Sequence, residues 1–384
     1  MQQLGVECHV LLLHNWYPPF GLHIRHAYWR EGRALAQTFF EEYEGVKIHA
    51  IPVMVRMPAR LFKDDHYQRA ALAIAKYVKG RKELRDADWI YAHFLTDNGY
   101  ISALTRHMLH IKVAAIARGD DVHAWPEQFP SLVGNLQYVY KHADLMLANN
   151  KRLAADALHW AGETKPKFRI AYNGINYAAF APQPMTDEQV AAIRQRYNLP
   201  AGKKVLLCIG RQEYPKGWNE LLQAIAAQRA LLHNWVLLAV TDNFTGRHAM
   251  DVVAAVEQAD LSDMVRVQRF VPHSEVKELY RVADAFILPS YNEGISNAVM
   301  EAMASGLWVI ATDVGGHAEI MENNVSGFLI QPRSQQAVED SLQYLVQHYD
   351  ARKKEISAAA IEAMQRLGGY VHNARILLGY LQEK

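Results

Sequence analysis

Residues 288–297 read Leu-Pro-Ser-Tyr-Asn-Glu-Gly-Ile-Ser-Asn, which is the pattern of a strand that passes through a glycine turn into a helix. The apolar run that ends at Leu288 predicts a buried strand, and Gly294 predicts a tight turn after it. A helical pattern resumes at about Ile295 and ends near Gly306, where a glycine commonly follows a helix. A strand that passes through a short loop into a helix is the unit from which parallel α/β sheets are built.

Strand-like and helix-like segments alternate along the rest of the chain. Short apolar runs and amphipathic stretches succeed each other from about residue 10 to 171 and again from 204 to 330. This alternation predicts an α/β protein with two doubly wound, Rossmann-like parallel-sheet domains facing a central cleft. In such domains, ligands bind at the carboxyl ends of the strands.

Proline and glycine residues set the expected domain bounds. Three prolines and Gly202 surround one short polar helix in residues 181–202, which we interpret as a linker. We therefore expect an N-terminal domain over residues 1–180 and a C-terminal domain over residues 203–367. A last helix, at about residues 368–384, is expected to pack back on the first domain.

Composition excludes several classes of protein. The chain has 384 residues, a formal net charge of +1 and two cysteines, Cys8 and Cys208. A charge so close to zero gives no electrostatic case for a nucleic acid partner. Two distant cysteines argue against a disulfide framework or a thiolate metal site, and suit a reducing compartment. With no apolar run of about 20 residues and no basic-then-apolar N-terminus, we predict a cytoplasmic protein.

The turn after Leu288 has the properties of a phosphate-binding site. The first N–H groups of the following helix lack intrahelical acceptors and lie at the positive end of its dipole, which suits a diphosphate. Gly294 lets the backbone approach a ligand closely. Glu293 and Glu301 could each accept paired hydrogen bonds from the hydroxyls of a ribose and a hexose. Two solvated helix glutamates are the alternative, which the strand, the glycine turn and the small-residue helix disfavour.

Two cations follow the first predicted strand of the second domain. Residues 209–217 read Ile-Gly-Arg-Gln-Glu-Tyr-Pro-Lys-Gly. Gly210 frees the backbone at the strand end, and Arg211 and Lys216 can converge on one anion. They would neutralise a pyrophosphate leaving group without Mg²⁺. The alternative is a pair of ordinary surface cations beside a helix start.

These residues resemble the retaining GT-B glycosyltransferases of family 4, the glycosyl transferases group 1, with features of the exopolysaccharide and teichuronic-acid types. Glu293 and Glu301 match the family's two glutamates separated by seven residues. The family's Gly-Arg…Lys-Gly pattern is matched by residues 210–217. Further segments that match are Asn173-Gly174-Ile175-Asn176 with Phe180, Gly315-Gly316-His317-Ala318-Glu319, and Gly327-Phe328-Leu329.

The resemblance implies a transferase that moves a sugar from a UDP- or GDP-sugar to a saccharide or lipid-linked acceptor, in surface polysaccharide or glycolipid biosynthesis. It places the diphosphate on Arg211 and Lys216, the ribose on Glu301 and the transferred sugar on Glu293. No cofactor and no metal ion is expected. The implied donor-binding set comprises Gly21, Gly210, Arg211, Lys216, Phe270, Val271, Gly294, Ile295, Ser296, Asn297 and Glu301.

The chain departs from the family pattern at three turns. Arg269 stands where the family often has glycine, next to the expected base contacts. Thr241-Asp242-Asn243 replace the usual glycine-rich loop of the second domain. In the first domain, Leu22 follows Gly21 where family members often carry a second glycine.

In the first domain, Arg118 occupies the position of a histidine that faces the reacting sugar in many relatives. Arginine cannot act as a base at pH 7, but it can stabilise charge that develops on a leaving phosphate. Asp121 is equally well explained as a catalytic residue or as a loop or helix cap. His93 is either a cleft residue or a packing histidine. The predicted catalytic set is Glu293, Arg118, Asp121 and His123.

Retention without a placed protein nucleophile is expected to proceed by departure and attack on the same face of the sugar. The leaving phosphate would then help to deprotonate the acceptor hydroxyl. Positioning and charge stabilisation would supply most of the catalysis.

A basic segment predicts a second kind of partner. Residues 56–85 carry nine Lys or Arg against three acidic residues, with apolar residues interspersed. Such a segment could dock on anionic lipid at the inner face of the membrane. The alternative is a solvated basic helix face.

Three competing functions remain at this stage. A GT-B enzyme of another reaction type, a phosphorylase or an epimerase, lacks the expected supporting residues. A non-catalytic nucleotide-sugar-binding protein of the same fold stays open because Arg118 replaces the histidine. A Rossmann dehydrogenase is poorly supported, because no G-x-G-x-x-G follows the first strand of either domain.

Overall fold

The computed structural model describes residues 1–16, 41–43, 45–54, 66–243 and 249–383. The chain forms two compact units. The first comprises Met1–Ala148, Ala154–Ala171 and Ala374–Lys384, and the second comprises Asn149–Leu153 and Tyr172–Asn373. The boundary that we expected near residue 180 therefore lies at Tyr172, with a short excursion at Asn149–Leu153.

The segment 181–202, expected to be a linker, is part of the second unit. Its helix, Asp187–Arg196, begins at Thr186 with a capping box, in which Gln189 is the reciprocal partner. Ile193 is buried and packs into the core of the second unit. The helix is polar on its outer face only, and its apolar contacts give this segment a place in the unit.

The strands are numbered in chain order. Strands β1 to β7 span His9–Trp16, Glu42–Tyr43, Val46–Met54, Trp89–His93, Lys112–Ala117, Leu145–Ala148 and Phe168–Ile170. Strands β8 to β13 span Lys204–Ile209, Trp235–Thr241, Val265–Arg269, Ala285–Leu288, Trp308–Thr312 and Phe328–Ile330.

The helices are given by their ranges. Those up to Ala171 are His66–Lys79, Lys82–Arg85, Tyr100–Leu109, Asp120–His123, Trp125–Gln128, Ser131–His142 and Lys151–Ala157. The later ones are Tyr177–Phe180, Asp187–Arg196, Trp218–Ala227, Val252–Gln258, His273–Val282, Asn297–Ala304, His317–Ile320, Gln335–Leu367 and Tyr370–Gln382. Single turns of 3₁₀ helix at Gln2–Leu4, Leu158–Trp160 and Tyr214–Lys216 and a π-helical turn at Leu95–Gly99 complete the helical elements.

Among its described residues, the first unit contains two sheets. Strands β4 to β7 form a parallel sheet in sequence order, and β1 pairs in parallel with β3. The short strand β2 pairs antiparallel with β3 and differs from the all-parallel arrangement that we predicted. A turn between these two strands, where Gly45 has a φ of 80°, permits this tight reversal.

The last helix packs on the first unit. Leu377, Tyr380 and Leu381 lie against the buried residues Ile116 and Leu147 of β5 and β6. The Tyr380 hydroxyl donates to the Ile170 carbonyl at 3.3 Å. The apolar stripe of this helix therefore closes one side of the β4–β7 sheet.

The second unit contains, among its described residues, one six-stranded parallel sheet in the order β10-β9-β8-β11-β12-β13. Counted within the unit, this order is 3-2-1-4-5-6, the arrangement of a doubly wound sheet. Strands β9, β11 and β12 are buried along their whole length, which explains their apolar sequences. The strand order reverses between β8 and β11. Doubly wound sheets bind ligands at such a reversal, beside the loops that leave the two strands.

None of the helices in the described part of the chain is long and apolar enough to cross a membrane.

Candidate active site

The loops after β8 and β11 meet at the reversal of strand order. Residues 289–296, which we call the donor loop, connect β11 to the helix Asn297–Ala304. Lys216 ends the 3₁₀ turn after β8, and its Nζ lies 2.8 Å from Oε1 of Glu293 on the donor loop. Both side chains are largely buried, at 18% and 13% exposed. The structure therefore brings together the predicted phosphate-binding lysine and the predicted sugar-binding glutamate.

Gly217 allows these two loops to dock. Its φ is 73°, and a Cβ at this position would overlap the carbonyl oxygen of Pro289. The Tyr291 amide donates to the Pro215 carbonyl at 2.8 Å, which fixes the same contact from the other side. Because both backbone conformation and space require glycine here, Gly217 sets the position of Lys216 relative to the donor loop.

The far side of the donor loop rests on the turn that follows β12. A Cβ at Gly315 would overlap the carbonyl oxygens of Glu293 and Gly294. The Gly316 amide donates to the Gly294 carbonyl at 2.6 Å, and Asn150 Nδ2 donates to the same oxygen at 3.1 Å. Two donors on one carbonyl hold the tip of the loop rigidly.

The helix after the donor loop begins at Asn297, two residues later than predicted. The reason is the Gly294 carbonyl, which is already bonded to Gly316 and Asn150 and is not available to a helical amide four residues on. Ser296 is the N-cap residue, with an extended backbone and no side-chain cap bond among the described residues. The amides at the start of this helix consequently keep the anion-binding character expected of a helix N-terminus.

Glu301 lies just over one turn into the helix rather than nearly two. Tyr280 is fully buried. Its hydroxyl donates to Glu301 Oε2 at 2.9 Å and lies 3.3 Å from the Ala298 carbonyl oxygen. Burial, together with the negative charge of Glu301, raises the pKa of Tyr280 far above its usual value. The phenol therefore stays protonated and fixes the carboxylate that we predicted to hold the ribose.

The other predicted donor residues lie along the same edge of the sheet. Asn297 accepts from Asn173 Nδ2 at 3.4 Å. Gly210 continues the β8 ladder by donating to the Val240 carbonyl at 3.1 Å. A Cβ at Gly210 would meet Lys216 Cγ at 3.6 Å, an ordinary contact, so packing within the protein does not by itself require glycine there.

Arg211 and Lys216 enter different ion pairs. Arg211 Nη2 lies 2.9 Å from Glu213 Oε1, and its side chain is 53% exposed. Its carbonyl accepts from the indole of Trp218, a fully buried residue, at 2.8 Å. The backbone of Arg211 is thus fixed while its guanidinium lies toward solvent.

The turn after β10 presents an aromatic ring. Phe270 has a φ of 58° and a side chain that is 63% exposed. Its amide donates to the Thr241 carbonyl at 2.8 Å. Arg269 pairs with Asp251 at 3.0 Å, and Asp251 caps the helix Val252–Gln258. The neighbouring Val271 is half-buried against the core.

Asp242, which lies where the family has a glycine-rich loop after β9, contacts the loop after β8. Its Oδ1 accepts from the Gln212 amide at 3.0 Å, and the Gln212 carbonyl accepts from the Met250 amide at 2.9 Å. A carboxylate therefore braces the loop after β8, a role for which the family pattern gives no signal.

In the first unit, Asp121 acts as a loop cap. It is fully buried, and its oxygens accept from the amides of Leu95, Arg118 and Gly119 at 2.7, 3.0 and 2.9 Å. Burial raises the pKa of this carboxyl, while the three backbone bonds act in the opposite direction. Of the two interpretations drawn from the sequence, the structure favours the cap.

Arg118 and His93 form one unit at the carboxyl ends of β4 and β5. Nη2 and Nε of Arg118 lie 2.9 and 3.1 Å from His93 Nδ1. Burial, and secondarily the guanidinium charge, lower the pKa of His93 to about 4. Because the guanidinium only donates, Nδ1 must accept and the proton of the neutral ring lies on Nε2.

His123 and Gly21 are the last two predicted site residues. His123 is half-buried in the helix Asp120–His123, with Nε2 3.7 Å from Asp156 Oδ2. Gly21 and residues 56–65 of the basic segment lie outside the described residues. No group of three or more His, Cys, Asp or Glu side chains in the described part of the chain could hold a metal ion.

Sequence reasoning missed two buried residues of the site, besides Tyr280. Asn150 lies 144 positions before its partner Gly294, and no local pattern marks it. His317 is fully buried, and its Nδ1 lies 2.8 Å from the Thr312 carbonyl. Burial lowers the pKa of His317, whereas the nearby negative charge of Glu293 raises it. His317 stood inside a matched segment, but nothing in its spacing distinguished it from a packing residue.

Comparison with known proteins agrees with this fold. Residues 189–362 match the family model described as glycosyl transferases group 1. TuaC of Bacillus subtilis (strain 168), assigned by name to teichuronic acid biosynthesis as a glycosyltransferase, is 27% identical over 338 residues, covering 88% of this chain and 80% of TuaC. A D-inositol 3-phosphate glycosyltransferase of Thermobispora bispora is 30% identical over 281 residues, covering 72% of this chain and 63% of that protein. The crystal structure of HepE from Anabaena, in complex with UDP and glucose, superimposes with a TM-score of 0.74 at 18% identity, covering 98% of this chain and 100% of HepE.

The fold is thus that of the GT-B glycosyltransferases, which confirms the predicted fold class. Residues 189–362 thus match the glycosyl transferases group 1 family, and with relatives that are named glycosyltransferases the chain is a glycosyltransferase. The resemblance stated from Glu293, Glu301 and the Gly-Arg…Lys-Gly pattern is confirmed at the level of the family.

Proposed function

We propose that the chain transfers a sugar, with retention, from a UDP- or GDP-sugar to a saccharide or lipid-linked acceptor. The observation that carries this proposal is the 2.8 Å pair between Lys216 and Glu293, beside the start of the helix Asn297–Ala304. A cation, a carboxylate and the first amides of a helix on two contacting loops match the diphosphate and the sugar of such a donor.

In this proposal, the donor separates the pair that Lys216 and Glu293 form. The diphosphate takes Lys216 and the amides of Ile295, Ser296 and Asn297, and Glu293 turns its carboxylate to hydroxyls of the transferred sugar. Glu301, held by Tyr280, accepts from the hydroxyls of the ribose. Phe270 offers its exposed ring to the nucleobase beside Val271.

Transfer then follows the front-face route. The bond between the anomeric carbon and the phosphate oxygen breaks, and the acceptor oxygen bonds to the same face of the sugar. The acceptor proton passes to the departing phosphate oxygen. Lys216, Arg211 and the helix amides stabilise the charge that develops on the diphosphate. We propose that no metal ion takes part, since these groups supply the positive charge.

The relatives narrow the proposed substrates. HepE was crystallised with UDP and glucose and with UDP-glucose, and TuaC is named for teichuronic acid biosynthesis. We therefore favour a UDP-sugar as donor and a growing surface polysaccharide as acceptor. Arg118, whose guanidinium contacts neutral His93, is proposed to stabilise the charge that develops on the leaving phosphate.

A thermal-shift panel of UDP, GDP and their sugars tests the donor. A ligand that binds only the folded state raises the melting temperature. At a ligand concentration of 100 times Kd, the free energy of unfolding increases by about 2.7 kcal/mol. Donor hydrolysis or transfer to a saccharide panel separates an enzyme from a non-catalytic nucleotide-sugar-binding protein. Binding without turnover of any donor would favour the non-catalytic alternative.

A peripheral position on anionic membranes is a second, separable part of the proposal. In the helices His66–Lys79 and Lys82–Arg85, the side chains of Lys76, Lys79 and Lys82 are exposed, and Leu72 is 57% exposed on the same outer face. Each basic residue near an anionic surface contributes about 1 kcal/mol. Sedimentation with vesicles that contain phosphatidylglycerol tests this: the variant with all three lysines changed to Glu should stay in solution. If wild-type protein does not sediment at low salt either, the membrane proposal is wrong while the donor proposal stands.

A further inference from the structure

Asn150 is a fully buried residue whose side chain makes three hydrogen bonds. Its Nδ2 donates to the Gly294 carbonyl at 3.1 Å and to Asn149 Oδ1 at 2.8 Å. Its Oδ1 accepts from the Leu153 amide at 2.7 Å, which caps the helix Lys151–Ala157. One side of the amide therefore serves a helix, and the other side serves the donor loop.

The bond to Gly294 fixes the direction of a peptide unit at the tip of the donor loop. In a planar trans peptide, the carbonyl and the following N–H point in opposite directions. With the Gly294 carbonyl held by Asn150 and by Gly316, the Ile295 amide must point away from both. Glu293 is the residue immediately before this peptide, so its backbone is oriented by the same contacts.

The packing around Asn150 leaves little freedom. A Cβ at Gly316 would overlap Asn150 Cβ and the side chain of Ile295. Glu319 holds the same segment at a second point, accepting from the amides of Lys151 and Arg152 at 2.7 and 3.1 Å. The segment Asn149–Leu153, although it directly follows β6 in the chain, is thus fastened to the second unit at two places.

We propose that Asn150 is a positioning residue for donor binding, which holds the peptide between Gly294 and Ile295 in the orientation that the diphosphate and the sugar require. This inference rests on the proposed function, because it assumes that the donor loop binds a nucleoside diphosphate. It assigns a role in the donor site to a part of the chain that precedes the family-matched region 189–362.

Two substitutions separate this role from that of a helix cap. Asn150→Ser and Asn150→Asp both keep an oxygen that can cap the Leu153 amide, since Ser and Asp are good N-cap residues. Both lose the N–H that reaches Gly294. With UDP as the probe, we expect Kd to rise about fivefold to tenfold for both at pH 8, the effect of one lost buried hydrogen bond.

Asn150→Asp offers a rescue by acid. A buried carboxyl next to carbonyl and amide oxygens has a raised pKa, and once protonated its O–H can donate to Gly294 as the amide does. We therefore expect the Kd of this variant for UDP, divided by the Kd of wild type at the same pH, to fall toward one as the pH falls from 8 to 5.5. Glu293, Glu319 and His317 lie nearby in both proteins, so the division by wild type removes their contribution from the comparison. Asn150→Ser should show no recovery.

Thr186→Ala is the matched control. Thr186 caps an exposed helix of the same unit, and its loss should lower the melting temperature with no change in the Kd for UDP. The Asn150 variants should instead raise the Kd for UDP, whatever the change in their melting temperature. Equal Kd values in wild type, Asn150→Ser and Asn150→Asp, with only the melting temperature affected, would overturn the proposal.

Hydrogen exchange of the unliganded protein distinguishes failure of this inference from failure of the proposed function. Amides in residues 289–300 should exchange about fivefold to tenfold faster in Asn150→Ser than in wild type or in Thr186→Ala. If wild type binds no nucleotide but this difference is seen, the proposed donor is wrong and the positioning of the loop stands. If wild type binds UDP and the exchange rates are equal, the positioning role is wrong.

Discussion

Nζ of Lys216 lies 2.8 Å from Oε1 of Glu293, and this contact joins the loops that follow β8 and β11. The strand order of the second unit reverses between these two strands. The two side chains are 77 positions apart in the chain and are mostly withdrawn from solvent. An ion pair in this place keeps a cation and a carboxylate ready, each neutralised by the other until a ligand replaces one partner. The first prediction follows from that arrangement.

Lys216→Ala should weaken binding of UDP about 10-fold to 150-fold, the range for a charge-assisted hydrogen bond of about 1.5–3 kcal/mol. Isothermal titration calorimetry measures it. Lys204→Ala is the control, because Lys204 begins β8 and pairs with Asp350 at 2.8 Å, at the opposite end of the same strand. Wild-type affinity in Lys216→Ala would show that the diphosphate binds elsewhere.

A second prediction concerns the docking of the two loops. Gly217→Ala combines a strained φ with a collision against the Pro289 carbonyl, whereas Gly202→Ala, at a φ of 75° with open space around it, carries the strain alone. We expect Gly202→Ala to cost about 1 kcal/mol and Gly217→Ala at least about 2 kcal/mol more. Urea unfolding followed by fluorescence gives both values. Equal losses in the two variants would mean that the contact with Pro289 does not define the loop.

The site illustrates what a single sequence can and cannot predict. The strand before Leu288, the turn at Gly294 and the partnership of Lys216 with this region follow from local patterns and from the rule that ligands bind where strand order reverses. The start of the helix was placed two residues early because the Gly294 carbonyl is used by Gly316 and Asn150, and local periodicity carries no information on such distant partners.

The first unit shows the same limit in its loops. The sequence explains Asp121 equally well as a catalytic residue or as a cap, and its three backbone partners in the structure favour the cap. Arg118 was compared with a histidine that it replaces, while the structure pairs it with another histidine 25 positions away. A charged or polar residue has several possible hydrogen-bond partners along a chain. The fold determines which of them it meets.

A third prediction concerns the ribose. Tyr280→Phe keeps the buried ring but removes the hydroxyl that holds Glu301. Because Glu301 then loses a fixed orientation, affinity for UDP should fall about fivefold, while inorganic pyrophosphate, which has no ribose, should bind as in wild type. Competition against a fluorescent UDP analogue measures both ligands.

Tyr349→Phe is the control for that experiment. It removes a buried hydroxyl whose partner is Asp284, at 2.8 Å, just before β11 at its amino end. Its stability should fall without a change in either affinity. A parallel loss of UDP and pyrophosphate binding in Tyr280→Phe would instead place Glu301 near the phosphates.

The last prediction is a pH dependence set by His93. Its pKa is about 4 in the folded protein, below the usual 6.5, with burial as the larger cause and Arg118 as the second. Between pH 6.5 and 4, the unfolded chain therefore binds a proton that the folded chain does not, and stability must decrease as the pH falls through this window. Above pH 6.5 His93 contributes no slope, because it is neutral in both states. His93→Gln should accordingly show a shallower loss of stability between pH 6.5 and 4 than wild type, measured by urea unfolding at a series of pH values.

Arg118→Gln should raise the pKa of His93 only part of the way to 6.5, since burial remains. An NMR titration of the ring protons measures this pKa directly. A pKa near 6.5 in wild type would contradict the contact between the guanidinium and Nδ1.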